Sequence, residues 1–340
     1  MTRTASASVT IVEVARQAGV AISTASTALN NRAGVSEQTR ERVQGVAQSL
    51  GYVPSIRGRS LSSKRAFAIG LIVQRDPDVL ESDPFFGAFI GGVEEVLAPR
   101  GYALALQIAK DEASSLARHI ELAESGRVDG LLLNELHIDD ERWRALKSRG
   151  VPAVAVNPGT FDSALPSVVQ DGEQAIDDLI GHLVERGHER IAHVAGPPAF
   201  VHARNRSMAW RTAIRARGLE ASVEVCGDFT YEGGQRAADL ILNLEERPSA
   251  VFCANDLSAI GFLNRALELG LEVPDDLAIA GFDGILPGQW VRPALTTIKT
   301  SPRSLGREAA QLLLLSIDGE QPHDITIPPA EFHARESTSS

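Results

Sequence analysis

The sequence predicts two modules. The first is an N-terminal all-α headpiece of the helix-turn-helix kind with a short hinge helix; the second is a larger α/β domain of two lobes with parallel sheets. Three observations carry this prediction. Residues 1–65 hold nine Arg/Lys against three Glu, a balance of +6, which leaves −17 for the rest of a chain whose net charge is −11. The first fifty residues show three short helical patterns broken by glycine. From Phe67 onward, apolar strand runs alternate with helical stretches almost to the C-terminus.

The headpiece opens at Thr10-Ile11-Val12-Glu13, a capping-box pattern, with Ile11, Val14, Ala15 and Ala18 on one helical face. Gly19 interrupts this helix because glycine readily takes the positive φ of a tight turn. A second helix spans roughly Ile22 to Leu29. Asn30, Asn31 and Gly34 then mark a loop, and Ser36 caps a third helix through Val43 and Ala47 to Leu50, stopped by Gly51. Two short helices around a glycine turn, with a third to complete a small core, form the helix-turn-helix pattern. Met1 to Val9 lacks an apolar stretch of the kind a secretory signal needs and reads as a short disordered arm. Residues 1–53 are therefore assigned to the headpiece. Residues 54–65, basic and poor in apolar groups, are assigned to a hinge helix or linker: a helix this short is marginal alone in water, so the segment is either a linker or one that orders only on contact with DNA.

Beyond the hinge, strands are expected at Phe67–Val73, Tyr102–Ile108, Gly130–Leu133, Ala153–Val156, Ile191–Ala195, Val223–Val225, Ala250–Cys253 and Leu277–Ala280. Helices are expected between them, among them Phe85–Leu97, Glu173–Glu185, Arg206–Ala216, Gly233–Leu244 and Leu257–Leu269. Strand–helix alternation over this length implies parallel sheets covered on both faces. Four strands before Pro158 and four after Pro166 divide residues 66–340 into two lobes, about 66–163 plus 295–325 and 164–294 plus 326–338. Open parallel sheets bind ligands beyond the carboxyl ends of their strands. The polar residues there are Gln74, Asn134, Asn157, Asp228-Phe229, Asn255-Asp256 and Asp283, with Arg204 and Arg206 after Gly196-Pro197-Pro198. Turn chemistry alone also favours Asn, Asp and Gly at strand ends.

Composition bounds the function. An apolar fraction of 44% with 23% charged residues is that of an ordinary globular protein, and no apolar run is long enough to span a bilayer. Cytoplasmic residence is expected. Cys226 and Cys253 have neither metal-ligand spacing nor the density of a disulfide scaffold, so neither metal nor cofactor is expected. A basic module on an acidic body suits a polyanion contacted at one end. No phosphate-binding glycine loop, His-Glu-x-x-His or nucleophile elbow is present, which argues against an enzyme.

The motifs together resemble those of the lactose-repressor (LacI/GalR) family over almost the whole chain. In the headpiece these are Val9 to Val20, Ser23 to Asn30, Val35 to Arg40 and Gly51-Tyr52-Val53-Pro54 followed by Arg59-Ser60-Leu61. In the larger domain they include Asp83-Pro84-Phe85-Phe86, Gly187-His188-Glu189-Arg190-Ile191, Ala254-Asn255-Asp256, Gly281-Phe282-Asp283 and Pro293-Ala294-Leu295-Thr296-Thr297-Ile298. The resemblance implies a periplasmic-binding-protein-like two-lobed domain and a homodimeric repressor on near-palindromic operator DNA. It places DNA contacts at Thr10, Ile22, Ser23, Thr24, Ser26, Thr27 and Asn30, with Arg57 and Arg59 in the hinge and Leu61 as a wedge between base pairs. Effector contacts are implied at Gln74, Asn134, Asn157, Arg204, Phe229, Asn255 and Asp283, where Arg204 and Asp283 would clamp hydroxyls and Phe229 would stack on a sugar face. The effector expected is a sugar or sugar derivative, with a nucleobase next. Thr27 stands where the family often carries a guanine-reading arginine, Ala21 replaces the usual serine cap, and Gly58 costs the hinge helix about 1 kcal/mol of propensity. A solute-binding protein for a sugar, with the same two lobes and no direct DNA regulation, is the alternative; the basic headpiece argues against it.

Overall fold

The computed structural model describes residues 9–30, 33–52, 63, 65–75, 81–159, 165–221 and 223–339. The chain separates after Phe67 into two compact units.

In the first unit, α1 (Ile11–Ala18), α2 (Ile22–Leu29) and α3 (Glu37–Ser49) pack around Val14, Ala15, Ala18, Ala25, Ala28, Val43 and Ala47. The alanines let short helices approach closely around one aliphatic centre. Gly19 ends α1 in the left-handed region at φ 65°, its amide returning to the Ala15 and Arg16 carbonyls. Ser36 caps α3 by accepting from the Thr39 amide. The capping box expected at Thr10 does not form: the Thr10 side chain makes no cap bond, and Glu13 pairs with Arg16 at 2.8 Å instead. The expected hinge contacts Arg57, Arg59 and Leu61 lie outside the described residues.

The second unit holds two six-stranded sheets. The first lobe comprises β1 (Ala68–Gln74), α4 (Pro84–Leu97), β2 (Ala103–Ala109), α5 (Glu112–Glu124), β3 (Gly130–Leu133), α6 (Arg142–Ser148), β4 (Ala153–Val156) and β5 (Ser167–Val169). The second comprises α7 (Glu173–Glu185), β6 (Ile191–Ala195), α8 (Val201–Ala216), β7 (Glu224–Cys226), α9 (Tyr231–Leu242), β8 (Ala250–Cys253), α10 (Asp256–Glu268), β9 (Ala278–Asp283), the one-turn α11 (Pro287–Trp290) and β10 (Thr296–Lys299). The chain then returns to the first lobe with α12 (Pro302–Ile317) and β11 (Ile325–Thr326), and ends in the second with β12 (Glu331–His333). Strand order is β11-β5-β4-β3-β1-β2 in one sheet and β12-β10-β9-β8-β6-β7 in the other.

Each sheet lies between apolar layers. In the first lobe α4 and α12 cover one face through Phe89, Val93, Leu305 and Leu313, while Leu122 and Leu146 cover the other. In the second, α7 and α8 supply Leu179 and Trp210, and α9 and α10 supply Ile241 and Phe262. The central strands β3, β4 and β8 are buried at every position, as strands covered on both faces must be.

Three details depart from expectation. All pairings are parallel except β10 with β12, which is antiparallel. The passages between lobes fall after β5, after β10 and after β11, later than the expected 163/164, 294/295 and 325/326. The reason is hydrogen bonding: β5 pairs with β4 in the first sheet, and β10 pairs with β9 in the second. Finally, α8 begins at Val201 rather than Arg206, so Arg204 and Arg206 lie within a helix and not in the loop before it.

Candidate functional site

In the headpiece, α2 presents the residues expected to meet DNA. Ile22, the first residue of α2, is 50% exposed. Ser23 and Thr10 are also exposed, whereas Thr24, Ser26, Thr27 and Asn30 are half-buried. Two of these polar groups are already engaged. The Thr27 hydroxyl donates to the Ser23 carbonyl at 2.9 Å, and the Asn30 amide donates to the Ser26 carbonyl at 2.8 Å. This face offers a methyl-bearing apolar contact and short hydroxyls, with no forked cation on α2.

In the larger unit, the carboxyl ends of both sheets converge on a cavity of about 640 Å³. Asn134, Asn157, Arg204, Phe229, Asn255 and Asp283 all line it. Gln74 does not; it is the last residue of β1, with its Oε1 buried and unpartnered, and the next residue, Arg75, faces the cavity instead.

Arg206, rather than Arg204, stands beside Asp283. Arg204 is exposed, while the Arg206 side chain is 16% exposed and lies 3.5 Å from Asp283. The Arg206 guanidinium also donates to the Ala254 carbonyl at 2.5 Å and lies over the Phe282 ring at 3.8 Å. Burial pulls the Arg206 pKa down from the usual arginine range, and the carboxylates of Asp283 and Asp83 counter it. Burial likewise pushes Asp283 well above the carboxylate range, partly offset by Arg206, while Asp83 and Asp256 push it further up. Asp283 has φ 115°, a strained value for a residue with a Cβ. Its carbonyl is held by the amide and hydroxyl of Thr300, both at 3.2 Å. Beside it, buried Asp256 accepts from the Thr297 hydroxyl at 2.6 Å and the Ile285 amide at 2.8 Å. Burial raises Asp256 to about 7.

Two expected contacts have structural employment. Asn255 caps α10 by accepting from the Ser258 amide, and its own amide donates to the Phe229 carbonyl at 2.9 Å. Asn157, at φ 50°, accepts from the Gln170 amide at 2.8 Å. Phe229 is 5% exposed and stacked on His202 with centroids 5.2 Å apart, so its ring is a packed wall rather than a free stacking face. That packing requires glycine at 196, where a Cβ would come within 2.0 Å of the ring.

Sequence reasoning left out Arg75, Asp83, Glu135, His202 and the apolar wall of Phe85, Phe86 and Phe89, all of which line the cavity. Asp83-Pro84 carried a readable signal, since Asp followed by Pro starts a helix; Asp83 accepts from the Phe85 amide at 3.0 Å at the head of α4. Burial raises its pKa. Among the described residues His202 has no hydrogen-bond partner. Burial, then the nearby Arg206 and Arg75, hold the pKa of this cavity-lining ring well below the ordinary histidine value. Among the described residues no helix is long and apolar enough to cross a membrane.

A helix-turn-helix headpiece and a two-lobed domain around a cavity lined by charged and aromatic side chains, in one chain, define a ligand-responsive DNA-binding regulator. Residues 10–55 match the bacterial regulatory proteins of the lacI family, and residues 180–338 match the periplasmic binding protein-like domain. The chain is 35% identical over 313 residues to the HTH-type transcriptional repressor CytR of Escherichia coli K12, covering 92% of this chain and 90% of that protein. It is 34% identical over 310 residues to the ribose operon repressor of the same organism, covering 90% and 92%. Among solved structures, the lac repressor dimer bound to operator and the anti-inducer ONPF is similar with a TM-score of 0.84 at 26% identity, covering 98% of this chain and 100% of that one. The complex of the transcriptional regulator CelR with cellobiose is similar with a TM-score of 0.74 at 31% identity, covering 97% and 99%. The protein belongs to the lacI family of bacterial transcriptional regulators.

Proposed function

We propose that the protein represses transcription by binding operator DNA through α2, and that a neutral, hydroxyl-bearing ligand in the interlobe cavity changes its affinity for that DNA. The ligand class is a sugar or sugar derivative. The observation that carries it is the Arg206–Asp283 pair: a forked donor beside a carboxyl acceptor matches two neighbouring hydroxyls, each of which both gives and takes a hydrogen bond. Charge balance supports a neutral ligand over a phosphorylated one. Arg75 and Arg206 are already held by Glu135 and Asp283, and Asp83, Asp171 and Glu173 add further carboxyls to the lining, an arrangement unfavourable to a phosphate. The names of the ribose operon repressor and of the cellobiose-bound CelR point the same way. A nucleobase is the second reading, favoured by the Phe85, Phe86 and Phe89 wall.

On this reading the protein acts in the cytoplasm as a homodimer, with residues 1–53 as headpiece and 54–65 as a hinge that leads directly into the first strand of the ligand-binding domain. Ligand shifts the population of lobe arrangements, and the hinge carries that shift to the DNA. The test has two stages. Operator sequences are selected from random DNA with the full chain, and ribose, cellobiose, adenine and cytosine are screened by thermal shift. A sugar that raises the melting temperature and changes operator affinity is the expected result. Stabilisation by the bases alone, or a bound sugar that leaves operator affinity unchanged, would refute it.

A further inference from the structure

The lobes are joined by three passages of chain and also by a seam that uses no covalent bond. In the first lobe, the segment after β3 runs beside the segment leading into α8 of the second. Ile138 donates its amide to the Ala199 carbonyl at 3.2 Å, and Val201 donates to the Leu136 carbonyl at 2.9 Å. His137 and Phe200 form an antiparallel bridge, their rings edge to face at 4.9 Å. Val201 is the first residue of α8, so its amide has no partner within its own helix. The other lobe supplies that partner.

Arg75 adds a side-chain contact to the seam. It leaves the end of β1 in the first lobe, yet its guanidinium lies 4.5 Å from the Phe200 ring centre and 5.2 Å from that of Phe229, both in the second. Glu135 holds it at 2.5 Å, with the two side chains only 11% and 8% exposed. Burial raises the Glu135 pKa, and the adjacent Arg75 draws it back down. A buried ion pair of this kind contributes little net stability once desolvation is counted. Its placement makes physical sense as an anchor for a planar cation that must meet two rings on the opposite lobe.

We propose that Arg75 is a positioning residue of the cavity: anchored by Glu135 on the first lobe, it packs on Phe200 and Phe229 of the second and sets the closed spacing of the lobes around a ligand. Phe229 is itself a cavity wall, so moving this contact moves the wall. The inference rests on the cavity being the effector site, but its test needs no ligand. Hydrogen exchange on the full chain reads the Ile138 and Val201 amides, which are protected across the seam, against Trp210 and Ile214, which sit inside α8. In Arg75→Ala the seam amides should exchange about tenfold faster, on the scale of losing one desolvated cation–aromatic contact, with the α8 interior unchanged. Parental exchange at the seam would overturn the proposal. If Arg75→Ala loosens all of α8, Arg75→Lys decides. Lysine keeps a cation for Glu135 and loses the planar stack, so the seam alone should exchange faster; parental protection in that variant would also overturn the proposal. Failure of every sugar to bind would refute the ligand reading without altering the exchange result.

Discussion

Replacing Arg206 with alanine tests the electrostatic account of the cavity. The guanidinium lies 3.5 Å from Asp283, whose side chain is 9% exposed, and donates to the Ala254 carbonyl. Removing one partner of a buried ion pair costs about 3–5 kcal/mol when the remaining charge is stranded. Asp283 can escape part of that cost by taking up a proton, because burial already holds its pKa well above the usual range. Loss of Arg206 removes the influence that draws it down, and Asp83 changes in the same direction. A carboxyl raised in the folded state binds more protons folded than unfolded between about pH 3.9 and its folded value, so stability falls as pH rises through that window. The parent shows this dependence too, but more weakly, since Arg206 compensates. The gap between variant and parent should therefore widen with pH. It should be on the order of 1 kcal/mol, from the lost bond to Ala254, where Asp283 is protonated in both proteins, and about 3 kcal/mol where Asp283 is ionised in the parent. Urea unfolding followed by tryptophan fluorescence measures it, because Trp143, Trp210 and Trp290 all lie in the larger unit and none in the headpiece. A gap that does not change with pH across the range in which the protein stays folded would refute this account of Asp283.

Two further outcomes follow from the packing. Ile22→Ala should leave headpiece stability within about 0.5 kcal/mol of the parent, since the side chain is half exposed. It should weaken operator binding roughly fivefold or more relative to random DNA, as a lost base contact would; mobility-shift titrations on both DNAs check this, and equal losses on the two would count against base reading. Gly306→Ala should destabilise the larger unit by about 1–3 kcal/mol, because the added Cβ would stand 2.1 Å from the Phe89 carbonyl oxygen where α12 crosses α4. An unchanged urea midpoint would show that the two helices part more easily than their contact implies.

Much of the fold is legible locally because its punctuation is local. Gly19 and Gly51 take the left-handed conformations that end helices, Ser36 caps α3, and the buried strands are unbroken apolar runs. Strands β5, β10, β11 and β12 escaped notice because they are short and mix Ser, Thr, Lys, Glu or His with their apolar residues, whereas β3 and β4, no longer than β10, are unbroken apolar runs. Asn255 looked like a ligand contact since the same polar atoms serve equally well as a helix cap, and only the Ser258 amide shows which use they have. Thr10 failed in the opposite sense: the capping pattern is present, but Arg16 competes for Glu13.

The exchange of Arg204 for Arg206 shows why the site was harder to read than the fold. Two residues apart on a helix means roughly 200° of rotation, so although both line the cavity only Arg206 stands beside Asp283. Sequence places both after Gly196-Pro197-Pro198 without fixing where the helix begins, and a start at Arg206 leaves the choice open. The structure starts α8 at Val201, with that residue's amide accepted by Leu136 of the opposite lobe. That contact joins residues 65 positions apart and has no local signature. The phase of α8, and with it the identity of the arginine beside Asp283, is set by the meeting of the lobes. A chain whose lobes moved apart at this seam would be expected to loosen the first turn of α8, shifting Arg206 against Asp283.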